Sequence, residues 1–479
     1  MGDRLRVGLA GFSEHPWRSV DKTRRFFLNA IEKKFEYEFV DSSDFSGDVL
    51  LNFSSSKWWQ SRENDFPVIH CIHGGATIDV EFLKKNLTNL YRTDGLIVNC
   101  HSDVELLNLY TDESPIVSLL QLPVDHSIFY RRHDYTQIDD IIHPDELVIG
   151  FFARILPQKN LHGFLESFYC LKRQFKKLKA VVVGNYWLDY PLFNWEGTQY
   201  PNYIQKLINQ YQLVNDLKYF TSTLSSSDLA LLMSRCDIIM HPTLSVDENF
   251  GYVVPEAMAC GTPVIGSAYG GLKDTLAEEN VGFAMPTWIS DSGLRVDLAS
   301  GTYACQKYLS DHDIRKNHSQ NAMKLSSIHY SLNAFQNKLS AIINETVARH
   351  KRSENKDTKV SLGDFLIKNN TDVNYLPDTD GISWNDISNS VYYYTSKPTY
   401  NQEKHLVYPS SPFHLNQVSK QLKMNNPMWP ATFDVSSEEI KILDTFSNSH
   451  FIQPTQFDLN YNTKLNSMIK KGILNFTKK

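Results

Sequence analysis

Two glutamates, Glu248 and Glu256, lie eight residues apart in the run His241-Pro-Thr-Leu-Ser-Val-Asp-Glu-Asn-Phe-Gly-Tyr-Val-Val-Pro-Glu-Ala-Met-Ala-Cys-Gly-Thr-Pro-Val-Ile. The apolar segment 238–241 reads as a buried strand, and the acidic stretch through Gly251 as the loop that leaves it. A helix is expected to start near Pro255-Glu256, since proline suits a first helical turn. Cys260-Gly-Thr-Pro would end that helix, and Val264-Ile265 open the next strand. Such a unit aims a loop and a helix N-terminus at the mouth of a sheet, where backbone N–H groups can take an anion. Carboxylates beside an anion site do not bind phosphate, so Glu248 and Glu256 are left to accept hydrogen bonds from hydroxyls. A sugar and a ribose would supply those hydroxyls.

The elements that must position these residues alternate along the chain. Strands are expected at 6–12, 37–41, 49–53, 68–73 and 95–99, and helices at 22–34, 80–91 and 103–110. A second set has strands at 147–153, 178–183, 217–220, 238–241 and 263–267, with helices at 161–175, 203–211 and 226–235. Strands alternating with helices imply parallel, doubly wound sheets, whose ligands bind beyond the carboxyl ends of the strands. The fold class is therefore α/β, with two Rossmann-like domains facing across a cleft, at 1–135 and 146–350. Residues 131–146 are polar and weakly periodic, as a linker would be. From about Arg352 the rhythm stops and Asn, Ser, Tyr and Pro become frequent, so 352–479 is an appended region, partly helical at 436–446, with no job assigned.

Composition narrows the classes. A chain of 479 residues with 42% hydrophobic and 21% charged residues can bury large cores. A formal net charge of −6 gives no global field for nucleic acid or anionic lipid, so no nucleic-acid partner is expected. The six cysteines form no CxxC pair and suit free, buried thiols in a reducing compartment. No stretch approaches the ~18 apolar residues of a membrane span, and a cytoplasmic location is expected by elimination.

The glutamate stretch resembles the E-x7-E motif of the GT-B glycosyltransferases of family 4, the "glycosyl transferases group 1" family. Glu248, Phe250, Gly251, Glu256, Ala257, Met258, Gly261, Pro263 and Val264 fall where that pattern wants them, and Gly270-Gly271 and Gly282 match its later glycines. Upstream, Phe151-Phe-Ala-Arg-Ile-Leu-Pro-Gln-Lys-Asn resembles the family's strand that ends in an arginine followed by Lys-Asn. The match carries over Arg154 and Lys159 as cations for the donor diphosphate, and fixed cations would stabilise the charge of a departing nucleoside diphosphate. It makes Glu256 the ribose ligand and Glu248 the ligand of donor-sugar hydroxyls, with the backbone of Asn249, Phe250, Gly251, Tyr252 and Val253 beside sugar and phosphate. Val68-Ile-His-Cys-Ile-His73-Gly-Gly resembles the strand end where the family places an active-site histidine. His73, Arg154, Lys159 and Glu248 are thus the expected catalytic set. The resemblance spans residues 1–345 and departs from the family after the first strand, where Gly11-Phe-Ser-Glu-His lacks paired glycines, and at Thr221 and Leu122-Pro123-Val124.

The resemblance implies a retaining transfer of a sugar from a nucleotide diphosphate sugar, UDP being the commonest nucleotide, to an unidentified acceptor. No cofactor is expected beyond that co-substrate and no metal, since Arg154 and Lys159 supply the positive charge. The helix at 332–349 would pack back on the first domain. Plainer readings stand beside these. Glu248 and Glu256 suit a helix cap and first-turn charge, Arg154 and Lys159 surface ion pairs, and His73 a core histidine with His70 competing on the same face. Arg18, Arg24 and Arg25 suit either an acidic acceptor or a solvated helix face, and Asp378-Thr-Asp380 a turn. A sugar-nucleotide epimerase, a phosphorylase, a non-catalytic scaffold or subunit, and a transferase acting on a protein or peptide remain open as alternatives.

Overall fold

In the computed structural model the short apolar runs become parallel strands, most of them buried because helices cover both faces of each sheet. The structure describes all residues except 1–3, 16–17, 42–44, 54–65, 78–79, 112–115, 188–198, 221–223, 279, 355, 369–383, 447–449 and 457–458. Among the described residues the first domain comprises β1 (Arg6–Ala10), α1 (Arg18–Lys34), β2 (Glu36–Phe39), β3 (Val49–Asn52), β4 (Val68–Cys71), α2 (Val80–Leu87), β5 (Gly95–Val98), α3 (His101–Tyr110) and β6 (Ile116–Leu119). Its strands run parallel in the order β2-β1-β3-β4-β5-β6.

The second domain comprises β7 (Leu147–Phe152), α4 (Leu161–Lys172), β8 (Leu178–Val183), α5 (Gln199–Gln210), β9 (Leu217–Phe220), α6 (Ser226–Arg235), β10 (Ile238–His241), α7 (Val253–Ala259), β11 (Val264–Ser267), α8 (Gly270–Thr275) and β12 (Gly282–Met285). These strands are also parallel, in the order β12-β11-β10-β7-β8-β9. A hairpin of β13 (Thr287–Ser290) and β14 (Gly293–Val296) follows, then α9 (Leu298–Ser310), α10 (His312–His329) and α11 (Leu332–Arg352).

Strand order locates the chemistry. In the second sheet the winding reverses between β7 and β10, and in the first between β1 and β3. Crevices open at such switch points, beyond the carboxyl ends of the strands. Arg154 and Lys159 follow β7 and Glu248 follows β10, so the expected donor residues sit at the second switch point. The segments after β1, β3 and β4, carrying α1, Phe53 and His73, come from the first.

Helix α11 does return to the first domain. Phe335 packs edge-on to Phe27 of α1 at 5.2 Å, Gln336 donates to Asn29 at 3.0 Å, and Arg349 donates to the Asp94 carbonyl at 2.8 Å. The 131–146 segment is no loose linker. Ile138 and Ile142 are buried, and the Tyr135 hydroxyl donates to the Ser234 carbonyl at 2.9 Å. The thiols are free, as expected, but Cys170 is exposed, not buried.

The appended region is folded where it is described. It contributes α12 (Asp364–Lys368), α13 (Trp384–Tyr394), β15 (His405–Pro409), β16 (Phe413–Asn416), β17 (Gln421–Met424), β18 (Ala431–Asp434), α14 (Ser437–Thr445), α15 (Leu459–Lys471) and β19 (Leu474–Lys478). β15 pairs with β19, and β16, β17 and β18 form a meander over a small core of its own. Helix α13 instead enters the main core: Ile387, Val391 and Tyr394 are fully buried. The Tyr394 hydroxyl accepts from the Ala76 amide at 3.0 Å, donates to the Asp103 carboxylate, and its ring stacks on Tyr269 at 5.5 Å. Ala76 and Asp103 belong to the first domain and Tyr269 to the second, so α13 straps the two together.

Candidate active site

The turn after β7 is built by Asn160. It adopts left-handed backbone at φ 60°, caps α4 by accepting from the Gly163 amide at 3.1 Å, and donates to the Pro242 carbonyl at 2.9 Å. The Leu244 amide donates to the Gln158 carbonyl at 2.7 Å, so the Lys159 turn and the loop after β10 are zipped together. The far side of that loop is held by Gly270 and Gly271. A Cβ on Gly270 would stand 1.9 Å from the Glu248 carbonyl oxygen, and one on Gly271 2.3 Å from that of Asn249. Only glycine permits this approach, which fixes where the Glu248 side chain starts.

Lys159 Nζ then meets Glu248 Oε2 at 2.5 Å, with both side chains 12% exposed. His241 Nε2 stands 3.9 Å from the same oxygen, too far for a hydrogen bond but near enough to act through charge. Burial alone would push the Glu248 carboxyl up. The Lys159 ammonium first, and His241 after it, outweigh burial and hold the group well below the usual carboxylate range. Glu248 is thus an anion at neutral pH, able only to accept hydrogen bonds, which suits it to bind hydroxyls through their O–H groups.

Arg154 is placed differently from its expected companion. Its guanidinium lies over the Trp187 ring, 4.2 Å from the centroid, and it is exposed, with no carboxylate partner among the described residues. Lys159 is ion-paired with Glu248, so Arg154 is the one of these two cations without a carboxylate partner among the described residues.

Helix α7 starts at Val253, two residues before the expected start. The reason is tertiary: Gly251 at φ 74° turns the chain early, and the Tyr252 hydroxyl is pinned to Thr23 of α1 at 2.8 Å. Glu256 is consequently buried in the first turn, and its Oε1 is ion-paired with Lys22, also from α1. Phe250 is core, packed on Tyr252 and Tyr330, which leaves only its backbone for a ligand. Asn249 donates to Asn99 of the first domain at 3.3 Å, and Thr77 donates to the Val246 carbonyl at 2.6 Å. The loop between Glu248 and Val253 therefore lies against the first domain.

His73 and His70 part company. His70 is fully buried in β4, within hydrogen-bond reach of Asn52 at 3.0 Å. His73 leaves the strand and packs on Phe53 at 4.2 Å between ring centroids, with Nε2 shielded and without a partner among the described residues. Burial depresses it to about 4, against a weaker upward pull from the Phe53 backbone. At neutral pH it offers a neutral imidazole, one donor and one acceptor. The stability consequence has a definite sign. The native state holds His73 neutral while the unfolded chain protonates near pH 6.5, so stability is full above pH 6.5 and falls as pH drops towards 4. The expected loss is roughly 3 kcal/mol. Urea unfolding of wild type and His73→Phe across that window checks it, and the step should be smaller in the variant.

The arginines after β1 are largely engaged elsewhere. Arg24 and Arg25 both pair with Asp21 at 2.8 Å, and among the described residues Arg18 reaches only the Leu224 carbonyl, at 3.5 Å. Asp378-Thr-Asp380 and Thr221 lie outside the described residues. Sequence reasoning passed over Lys22, Thr23 and His241. The helix after β1 at a switch point is the signal that could have marked the first two.

Set against known proteins, residues 136–294 match the profile of the family described as Glycosyl transferases group 1. A D-inositol 3-phosphate glycosyltransferase of Stackebrandtia nassauensis is 29% identical over 227 residues, 44% of this chain and 49% of that protein. The chain thus spans about half the length of the curated relatives it matches. Among solved structures, a glycosyltransferase from Rickettsia africae superposes with a TM-score of 0.53 at 15% identity, over 74% of this chain and 100% of that one. Anabaena Alr3699/HepE in complex with UDP does so with a TM-score of 0.52 at 14% identity, over 71% and 100%. The chain has the two-domain fold of the GT-B glycosyltransferases, and its residues 136–294 match the glycosyl transferases group 1 family.

Proposed function

We propose that the chain is a retaining glycosyltransferase that moves a sugar from a nucleotide diphosphate sugar, a UDP-sugar before others, to an acceptor oxygen. The observation that carries this reading is the placing of Arg154, Lys159, Glu248 and Glu256 at the carboxyl ends of β7 and β10, opposite the first domain's switch point. Fold alone would not carry it, since one architecture hosts many activities. The roles divide by chemistry. Glu256 takes the ribose diol, Glu248 the sugar hydroxyls, and Arg154 with Lys159 the diphosphate. The acceptor oxygen bonds to the anomeric carbon on the face the diphosphate leaves. The anomeric C–O bond breaks with its electron pair going to the diphosphate, which takes the acceptor's proton. Fixed positive charge stabilises the leaving group without a metal. The UDP complex of the Anabaena protein supports the nucleotide. No helix among the described residues is long and apolar enough to cross a membrane, and free thiols support a reducing, cytoplasmic setting.

Calorimetry with UDP, GDP, ADP and their sugars in the presence of EDTA tests this. At least one should bind, and Glu256→Ala should weaken it by roughly tenfold or more through the lost charge-assisted hydrogen bonds. A folded wild-type chain that binds none of them would remove the donor site. Proton NMR of the sugar released or transferred then reads whether the anomeric configuration is kept.

A further inference from the structure

Lys22 stands in the donor site although it belongs to the other domain. It projects from α1, and its ammonium pairs with Glu256 Oε1. Three aromatic rings surround it, with centroids at 4.3 Å for Tyr252, 5.1 Å for Phe129 and 5.8 Å for Phe26. One residue on, Thr23 bonds the Tyr252 hydroxyl at 2.8 Å. The α1 backbone that carries both is anchored to α11 through Gln336 and Phe335, so the perch of Lys22 is fixed. Its tip is not: the side chain is 27% exposed and has four rotatable bonds, against 9% exposure for Glu256. The lysine can therefore leave while the helix stays.

We propose that Lys22 is a nucleotide-displaceable latch: in the empty site it occupies the Glu256 carboxylate, and the ribose diol of an arriving nucleotide competes with it for that group. This rests on the reading of Glu256 as the ribose ligand. A vicinal diol satisfies a carboxylate best by donating to both oxygens, and one is already taken. Displacement costs the ion pair and the contact with the Tyr252 ring face, and it returns Lys22 to water. In return the empty site never holds a buried, uncompensated carboxylate, which would be far more costly than a partly exposed pair. Because the two partners come from different domains, filling the site with nucleotide also removes one of the contacts between them.

The direction of the effect separates a latch from a phosphate grip. If Lys22 competes, Lys22→Met frees Glu256 and binds nucleotide about fivefold tighter than wild type. Lys22→Arg, whose fork suits a carboxylate bidentately, binds it more weakly. If Lys22 instead holds the donor phosphates, the order reverses, with Met weakest, and the proposal is overturned. Affinities are measured by calorimetry with UDP, GDP and ADP. Lys22→Gln, neutral but still able to donate, replaces the Met variant should that one misfold, and it too should bind more tightly than wild type. A second measurement needs no ligand: urea unfolding of wild type, Lys22→Met, Glu256→Gln and the double variant should give a non-additive cycle. Additive stabilities mean the pair does not form in solution, and the latch falls. Non-additive stabilities with no nucleotide bound by any variant overturn the donor-site reading, and the competition with it.

Discussion

Lys159→Ala is expected to lose about 3 kcal/mol of stability and to weaken nucleotide binding by roughly ten- to a hundredfold. The two losses have different origins. Stability falls because Glu248, only 12% exposed, loses the ammonium at 2.5 Å and must then hold an unpaired charge in a shielded site or take up a proton. Binding falls because a cation at the diphosphate end is gone. A second substitution parts them: Glu248→Gln added to Lys159→Ala removes the stranded charge and should recover most of the stability but none of the affinity. Urea unfolding and calorimetry on the three variants provide the measurements. Unchanged stability and unchanged affinity in Lys159→Ala would mean that the pair is a surface contact and the site lies elsewhere.

Cutting the chain before residue 353 is expected to leave it unable to fold stably, so the appended region is not a dispensable module. Ile387, Val391 and Tyr394 are each fully buried against the two larger domains. At about 1.5–3 kcal/mol per buried side chain, these three alone are worth roughly 5–9 kcal/mol, as much as the net stability of many domains. Truncation also strands Asp103, whose carboxylate is left, among the described residues, with only the Ala76 amide and the Cys100 thiol as partners. Expression and circular dichroism of residues 1–352 read the outcome. Tyr394→Phe is the gentler form of the same experiment. It removes one hydroxyl that serves two buried groups and should lower stability by about 1–3 kcal/mol. A truncated chain that stays folded and keeps a wild-type melting temperature would show that α13 is an ornament.

What could be read from the sequence was what chemistry keeps local. Glu248, Gly251, Glu256 and Gly270-Gly271 lie within one stretch, and each is needed for a reason that a residue type declares: a charge, a left-handed turn, a close approach. Lys159-Asn160 was marked only by its likeness to a family motif, and the structure supplies the reason for the asparagine, since Asn160 both turns the chain and caps α4. Alternating apolar runs gave both sheets because parallel strands covered on two faces have few other ways to appear. Lys22 was not legible. It is an ordinary lysine on an amphipathic helix, and its partner is 234 residues away. The start of α7 was misplaced because Pro255 suits a first turn, whereas Thr23, in another domain, helps decide where the turn begins. The strap was hidden most completely. Nothing in the periodicity around Tyr394 tells that its hydroxyl ends on a carboxylate 291 residues earlier.

That strap has a consequence for how the molecule is made. Chains fold domain by domain as they are synthesised, earlier domains first. Both Rossmann-like domains are complete by residue 352, and α13 begins at Trp384. Until it emerges, Ala76, Asp103 and Tyr269 lack the Tyr394 side chain that bridges them, and the two domains lack the burial that makes them stable. The angle at which the two switch points face each other then depends on a helix that follows both domains in the chain, so the cleft acquires its working geometry only after α13 has been made.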